Sequence, residues 1–376
     1  MTVSDFRKIA QRRLPKFVFD YADGAGGGET TMHLNRAAFE TLRLHPHQQV
    51  DVSKRSMETT VLGRRLSMPM LLGPTGLQRL VHRRADLEVA QAAGAADIPF
   101  VVSASTAFTV EQIADASRGD LWLQVYPWRD HKALEHVMAR AAAAGYSTLV
   151  VTVDVPLLAS RERDLRNGMS IPPRITPRNV YQGARHPRWV GHLLRGPEIT
   201  FINFEALAPG SKGMALMQWV NNALTNPGAE WSELQWLRRQ WPGPLVVKGI
   251  MTVHDARMAV DAGADAIVVS NHGGRQLDYT PATVEVLPRV VDAVSNRAEV
   301  LVDGGVRRGA DILKALALGA RAVLVGRPYW WGLAAGGARG VGEVIEIFRS
   351  ELDMVMALSG RPTIDSIGRD LLFPDE

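Results

Sequence analysis

An α/β fold closed into a (β/α)8 TIM barrel follows from three features of this 376-residue sequence. Eight apolar runs of strand length recur along the chain, each is apolar throughout rather than alternating, and helical patterns separate them. Strands that lack alternation belong to parallel sheets covered by helices, and eight strand–helix units in succession describe a barrel.

The residues before position 68 read as an N-terminal helical extension. The strand runs are then "MPMLLGPTG" (68–76), "IPFVVSAS" (98–105), "LWLQVYPW" (121–128), "STLVVTVDVP" (147–156), "PLVVKGI" (244–250), "AIVVSNHGG" (266–274), "EVLVDGGV" (299–306) and "AVLVGRPY" (322–329). Helical patterns such as "HKALEHVMARAAAAG" and "GADILKALALGA" fill the intervals, and "GVGEVIEIFRSELDMVMALSG" follows the last strand. A doubly wound sheet is the rival fold, but its first strand should lead into GxGxxG, and "GPTGLQRL" does not supply it. The whole chain, 1–376, reads as one domain.

One interval is too long. Residues 157–230, after the fourth strand, show no clear period, although an ordinary βα loop takes only a few residues. Within the insertion 176–230, the stretch 176–226 carries Arg178, Arg185, Arg188, Arg195 and Lys212 against Glu198 and Glu205, with Tyr181, Trp189, Phe201, Phe204 and Trp219 between them. Basic charge with exposed aromatics suits a membrane-surface contact, and a lid packed on the barrel suits the length equally.

Composition narrows the function. With 46% hydrophobic residues the chain buries a sizeable core, and without cysteine it has neither disulfides nor thiolate metal sites. No Lys/Arg block interleaved with aromatics points to nucleic acid. The first residues lack the apolar core of a signal peptide and no run is long enough to span a bilayer, so a cytoplasmic location is expected. Attachment to the inner face of the cytoplasmic membrane is the variant that a lipid-binding insertion would impose.

In a TIM barrel the chemistry sits at the strands' C-terminal ends, and polar residues gather there: Gln124, Tyr126, Thr152, Asp154, Lys248, His272, Asp303 and Arg327. "VDGGVRRGADILK" and "LVGRPYWWG" place glycines at helix starts beside Arg307 and Arg327, which makes a phosphate cradle. Asp154 and His272 end the fourth and sixth strands and face a common mouth, so the carboxylate is expected to raise the imidazole's pKa and support a base. Arg161 and Arg275 could hold a carboxylate in bidentate fashion, and a buried Lys248 needs an anionic partner.

With "SNHGGRQLDY" and "DGGVRRGADILKALALGA", the chain resembles the FMN-dependent L-2-hydroxyacid dehydrogenases and oxidases, from "LPKFVFDYADGA" to "ALSG". Through "SMPMLLGPTGL", "RERDLRNG" and "HPRW" it is most similar to the mandelate-oxidising members. The resemblance implies FMN as cofactor and His272 as the base that takes a proton while hydride leaves the substrate, with Asp154 stabilising the imidazolium. It implies Arg161, Arg275, Tyr21 and Tyr126 around the substrate carboxylate and hydroxyl. Lys248 would sit by the flavin's developing negative charge. Thr75, Gly76, Ser103, Gln124, Thr152 and Ser270 would hold the ring and ribityl chain, and Asp303, Gly305, Arg307, Gly326 and Arg327 the ribityl and phosphate. Ser105 stands where glycolate oxidase has tryptophan, which leaves room for an aryl substrate such as mandelate. Gly76 replaces that enzyme's alanine and favours a dehydrogenase that passes electrons to a quinone or another carrier. A homotetramer is expected by analogy. The glycine-rich "GAGGGE" after Tyr21 suggests a mobile entrance loop. Lactate or glycolate oxidation by the same chemistry, or an FMN barrel of isomerase type, are the alternatives.

Overall fold

The computed structural model describes residues 1–170, 176–208, 210–224 and 226–373. Helices α1 (Val3–Arg13), α2 (Lys16–Asp23) and α3 (Thr30–Thr41) form the N-terminal extension, followed by an antiparallel hairpin, β1 (Thr59–Val61) and β2 (Arg64–Leu66). The barrel begins with β3 (Met70–Leu72), α4 (Ala85–Ala95), β4 (Phe100–Ser103), α5 (Val110–Ala116), β5 (Leu121–Val125), α6 (His131–Ala143) and β6 (Thr148–Thr152). After β6 come α7 (Glu162–Asn167), α8 (Pro177–Ala184), α9 (Pro187–Leu194), α10 (Gly213–Leu224) and α11 (Trp231–Gln240). The circuit ends with β7 (Leu245–Ile250), α12 (Val253–Asp261), β8 (Ala266–Val269), α13 (Thr283–Val294), β9 (Glu299–Val302), α14 (Gly309–Ala317), β10 (Ala322–Val325) and α15 (Arg327–Leu358). The eight strands β3 to β10 are parallel, and β10 pairs with both β9 and β3, so the expected barrel closes.

Side-chain parity explains where the site falls. Leu71, Val101, Trp122, Val150, Val246, Val268, Leu301 and Leu324 fill the barrel's interior as one buried cluster. Their alternates, such as Leu72, Val102, Leu123, Val151 and Val247, belong to the larger core shared with the helices. Because side-chain direction repeats every two residues along a strand, each interior row continues at the C-terminal end. The continuing residues are Gly73, Ser103, Gln124, Thr152, Lys248, Ser270, Asp303 and Gly326. At the opposite end Val61 and Leu66 of the hairpin join the interior cluster. The Leu62 amide donates to the Glu299 carboxylate at the start of β9, so the hairpin plugs the barrel's N-terminal mouth. Each fully buried Leu or Val here contributes about 1.5–3 kcal/mol.

The extension is stapled to the active end. Asp278 accepts from the Gly28, Thr30 and Thr31 amides at 3.1, 3.3 and 2.8 Å, which satisfies the free donors at the start of α3. Asn35 and Asn271 exchange amide hydrogen bonds of 2.8 and 2.9 Å. The segment "GAGGGE" is therefore fixed rather than loose. The Gly26 amide donates to the Gly274 carbonyl at 2.8 Å, and a Cβ on Gly26 would lie 2.3 Å from the Gln276 carbonyl, so glycine serves close approach.

The insertion packs largely inward. Of its aromatics, Trp189, Phe201 and Phe204 are buried, Trp219 is half-buried against the core and Tyr181 is 63% exposed, so the expected exposed aromatic surface shrinks to Tyr181 and its apolar neighbours. The Trp189 indole donates to the Leu80 carbonyl at 2.7 Å, and Arg79 donates to the Pro197 and Leu193 carbonyls at 2.8 and 2.7 Å. Positions 209 and 225 of the insertion lie outside the described residues. Among the described residues no helix is long and apolar enough to cross a membrane.

Candidate active site

The C-terminal ends of the strands surround a cavity that opens to solvent. Its lining includes Tyr21, Thr75, Gly76, Ser103, Ser105, Gln124, Tyr126, Thr152, Arg161, Lys248, His272, Arg275, Asp303, Gly305, Arg307, Gly326 and Arg327. Asp154 and Ser270, also expected in the site, stand directly behind this lining. His272 Nδ1 lies 2.9 Å from Asp154 Oδ1, while the Ser270 hydroxyl accepts from Lys248 Nζ at 2.9 Å and from the His272 amide at 3.0 Å.

His272 is the centre of this arrangement. With Nδ1–H donating to the carboxylate, Nε2 is left as the proton acceptor. Its backbone sits at φ 58°, in the left-handed region that costs a non-glycine residue strain, as residues at functional sites often do. Burial lowers its pKa, and the Asp154 charge only partly offsets this while Lys248 reinforces it. The expectation of a raised pKa is thus corrected, because desolvation of the imidazolium outweighs the carboxylate. For Asp154, burial favours the neutral acid, but His272 and Lys248 outweigh it and hold the carboxyl below its ordinary range. Lys248 lies 3.2 Å from Asp303 Oδ2, and although burial opposes its charge, Asp303 and Asp154 raise its pKa. The buried cation has its expected anionic partner.

Two guanidinium groups flank one aromatic ring. The Cζ atoms of Arg275 and Arg161 lie 5.3 and 5.8 Å from the Tyr21 ring centroid. Arg275 donates to the Tyr21 and Gly24 carbonyls at 2.9 and 2.8 Å, and burial together with Arg161 brings its pKa down to about 9. Arg161 Nε is buried without a hydrogen-bond partner, and Asp164 approaches its Nη1 only to 3.7 Å. Two neighbouring cations so poorly neutralised favour an anion between them. Burial also pushes up the Tyr126 phenol, which stays a donor at ordinary pH.

At the other end of the cavity, Arg327 donates to the Gly273 and Gly24 carbonyls at 2.9 and 2.8 Å, and Arg307 to the Val306 carbonyl at 2.8 Å. Burial lowers the pKa of Arg327 to about 9 and that of Arg307 to about 10, and Arg307 lowers Arg327 further. Gly326 caps α15, whose N-terminal end meets the same space, so dipole and guanidinium groups favour one anion.

Sequence reasoning missed several lining residues. Gly73 follows from strand parity, and Trp330 from its place in the first turn of α15. Phe201 and Asn221 reach the cavity from the insertion, and no spacing rule signals either one. Tyr329 was also missed: its hydroxyl donates to the Gly73 carbonyl at 2.8 Å and lies 2.7 Å from Thr75 Oγ1, which fixes the β3 loop.

A barrel mouth that joins two pairs of buried arginines to a His–Asp pair has the chemistry of an enzyme that handles small anions. Comparison with known proteins specifies the class. The sequence profile of the FMN-dependent dehydrogenases matches residues 10–374. The chain is 42% identical to (S)-mandelate dehydrogenase of Pseudomonas putida over 98% of its own length and 93% of that protein's. It is 41% identical to L-lactate dehydrogenase of Caulobacter vibrioides over 99% of its length and 97% of that protein's. The crystal structure of the monotopic membrane protein (S)-mandelate dehydrogenase superimposes with a TM-score of 0.94 at 40% identity, covering 100% of this chain and 99% of that one. The chain belongs to the FMN-dependent dehydrogenase family and is an oxidoreductase of the 2-hydroxyacid dehydrogenase and oxidase class.

The site fits the family's cofactor. Thr152 Oγ1 and Asp303 Oδ1 are buried without a hydrogen-bond partner, and the poorly neutralised Arg307 and Arg327 lie beyond them. A polar ring with a ribityl chain satisfies such orphaned groups and a phosphate satisfies the arginines.

Proposed function

We propose that the protein oxidises an L-2-hydroxy acid with an aryl side chain, (S)-mandelate or a close analogue, to the 2-oxo acid. The observation that carries this reading is the His272–Asp154 pair at 2.9 Å, beside two guanidinium groups over the ring of Tyr21. FMN, when bound, supplies the acceptor for the hydride that leaves the α-carbon. His272, neutral because it is buried, takes the substrate's hydroxyl proton on Nε2, and Asp154 stabilises the imidazolium that results. Arg161 and Arg275 clamp the carboxylate, Tyr21 hydrogen-bonds it, and Tyr126 orients the hydroxyl.

The remaining residues hold the cofactor. Thr75, Gly76, Ser103, Gln124, Thr152 and Ser270 bind its ring and ribityl chain. Asp303, Gly305, Arg307, Gly326 and Arg327 bind ribityl and phosphate, and the Lys248 cation stabilises negative charge on the ring.

Ser105 supports an aryl substrate, since its small side chain leaves the cavity wide. A lactate substrate is the second reading, favoured by the name of the Caulobacter relative at nearly equal identity. Exposed Val180, Tyr181 and Leu194 among Arg178, Arg185 and Arg195 support peripheral membrane contact through the insertion 176–230, where a quinone is the natural electron acceptor.

Anaerobic stopped-flow flavin bleaching tests the reading with (S)-mandelate, (R)-mandelate, L-lactate and glycolate. Fast bleaching by (S)-mandelate and none by its enantiomer is expected, and fast bleaching by lactate alone replaces the substrate. His272→Gln should keep its flavin and slow bleaching by at least about 100-fold; an unchanged rate removes His272 as the base.

A further inference from the structure

We propose that residues 201–204 of the insertion are a specificity element, with Phe201 as the wall against which the substrate's side chain packs. Asn203 is the positioning residue that locks this wall to the loop bearing Ser105. The inference deepens the reading above and rests on it.

Phe201 is 3% exposed and lines the same cavity as Ser105, Tyr126 and Leu158. The next residue, Ile202, donates its amide to the Thr106 carbonyl at 3.2 Å. Phe201 and Ser105 each immediately precede a partner in this bond, so the two segments run together at the cavity.

Asn203 secures the junction. It is fully buried, and its Oδ1 accepts from the Val110 amide at 3.1 Å while Nδ2 donates to the Ala104 and Phe108 carbonyls, both at 3.3 Å. One amide thus bonds the backbone on both sides of Ser105, using hydrogen bonds that the loop would otherwise leave unmade. From the opposite side the Thr106 hydroxyl donates to Asp86 Oδ2 at 2.7 Å, which ties the loop to α4. Phe204 anchors the same segment of the insertion, with its ring centroid 4.5 Å from that of Trp128 at an interplanar angle of 71°.

The consequence is a divided pocket wall. Ser105 makes space by being small, and Phe201 offers an apolar aromatic surface to whatever fills that space. An aryl ring would reach this surface and a methyl would not. The insertion therefore selects the substrate as well as covering the barrel.

The test uses FMN-loaded wild type, Phe201→Ala, Phe201→Leu and Asn203→Ala. Flavin reduction is followed with (S)-mandelate and L-lactate, and binding of the unreactive acids phenylacetate and acetate is read from the flavin spectrum. Phe201→Ala should lower the mandelate-to-lactate ratio of kcat/KM by roughly 10- to 200-fold and weaken phenylacetate but not acetate. Phe201→Leu should restore part of the ratio. Asn203→Ala should move the same ratio, mainly through KM, with FMN retained, whereas a purely structural asparagine would depress both substrates equally. If Asn203→Ala does not fold, Asn203→Asp, which keeps the acceptor oxygen and loses the two donors, makes the same comparison.

An unchanged ratio and unchanged phenylacetate affinity in Phe201→Ala refute the wall while leaving the oxidation reading intact. A wild-type flavin that no 2-hydroxy acid reduces refutes that reading, and the inference with it. If lactate alone reduces it, phenylacetate binding still decides the wall.

Discussion

Replacing Asp154 by asparagine separates charge from geometry at the proposed base, His272. The amide oxygen can still accept from His272 Nδ1, now 2.9 Å from a carboxylate oxygen, so only the negative charge is lost. With charge centres roughly 4 Å apart and an effective dielectric near 20, that charge stabilises an imidazolium by about 4 kcal/mol. If it is fully expressed once His272 has taken the proton, flavin reduction slows by about 1,000-fold. The pH profile moves in a separate direction. Burial already holds the histidine's pKa below its ordinary value and Asp154 opposes this, so removing the charge lowers it further. The base form then persists to lower pH, and the acid limb of the rate profile shifts downwards while the plateau falls. Anaerobic stopped-flow reduction with saturating substrate across pH 5 to 8 reads both effects. A plateau within about threefold of wild type would refute the assignment of Asp154 as the partner that stabilises the protonated base.

Two buried groups away from the chemistry make opposing contributions to stability in acid. Burial, helped by His192, lowers the pKa of His82 to about 4, so the folded chain binds fewer protons than the unfolded one and stability is lost as pH falls from about 6.5 to 4. Burial raises Asp86 from 3.8 to about 6, so stability is gained as pH falls through about 6. At about 1.4 kcal/mol per unit, Asp86 contributes roughly 3 kcal/mol and the partly exposed His82, discounted for solvent, roughly 1–2. Thermal denaturation between pH 7 and 4 should therefore show a steeper acid loss in Asp86→Asn and a shallower one in His82→Gln than in wild type. Lys248→Met leaves Asp303 without its cation and should cost about 3–5 kcal/mol in denaturant unfolding, with weaker FMN retention. Gly274→Ala should lower Tm, because φ is +76° and a Cβ would lie 2.6 Å from the Met32 amide nitrogen; Gly76→Ala, whose Cβ meets nothing within 4 Å, should leave it unchanged.

The barrel was legible because its strands are covered on both faces and so read as unbroken apolar runs. The mouth was legible because polar residues such as Gln124, Lys248 and His272 end those runs. The hairpin escaped notice because three-residue strands carry no measurable period. Helices α8 and α9 are only eight residues long, although Pro177 and Pro187 in their first turns were available signals. The direction of the His272 shift was misread because a sequence shows the carboxylate and hides the depth of burial. Whether Phe201 faces lipid or the barrel was left open by the sequence, because its burial depends on Thr106 and Asn203, partners about a hundred positions apart whose meeting is set by the fold.

The two-residue repeat that carries each interior row into the mouth ties this enzyme's chemistry to its reading of chain length. Adding or deleting one residue within β7 would turn Lys248 towards the helices and bring an apolar neighbour into the cavity. The strands can thus accept substitutions but not changes in length. The insertion follows β6 beyond Thr152 and Asp154, where added residues leave that repeat untouched. Extra chain could accumulate there and acquire tasks of its own while the catalytic rows stayed in phase.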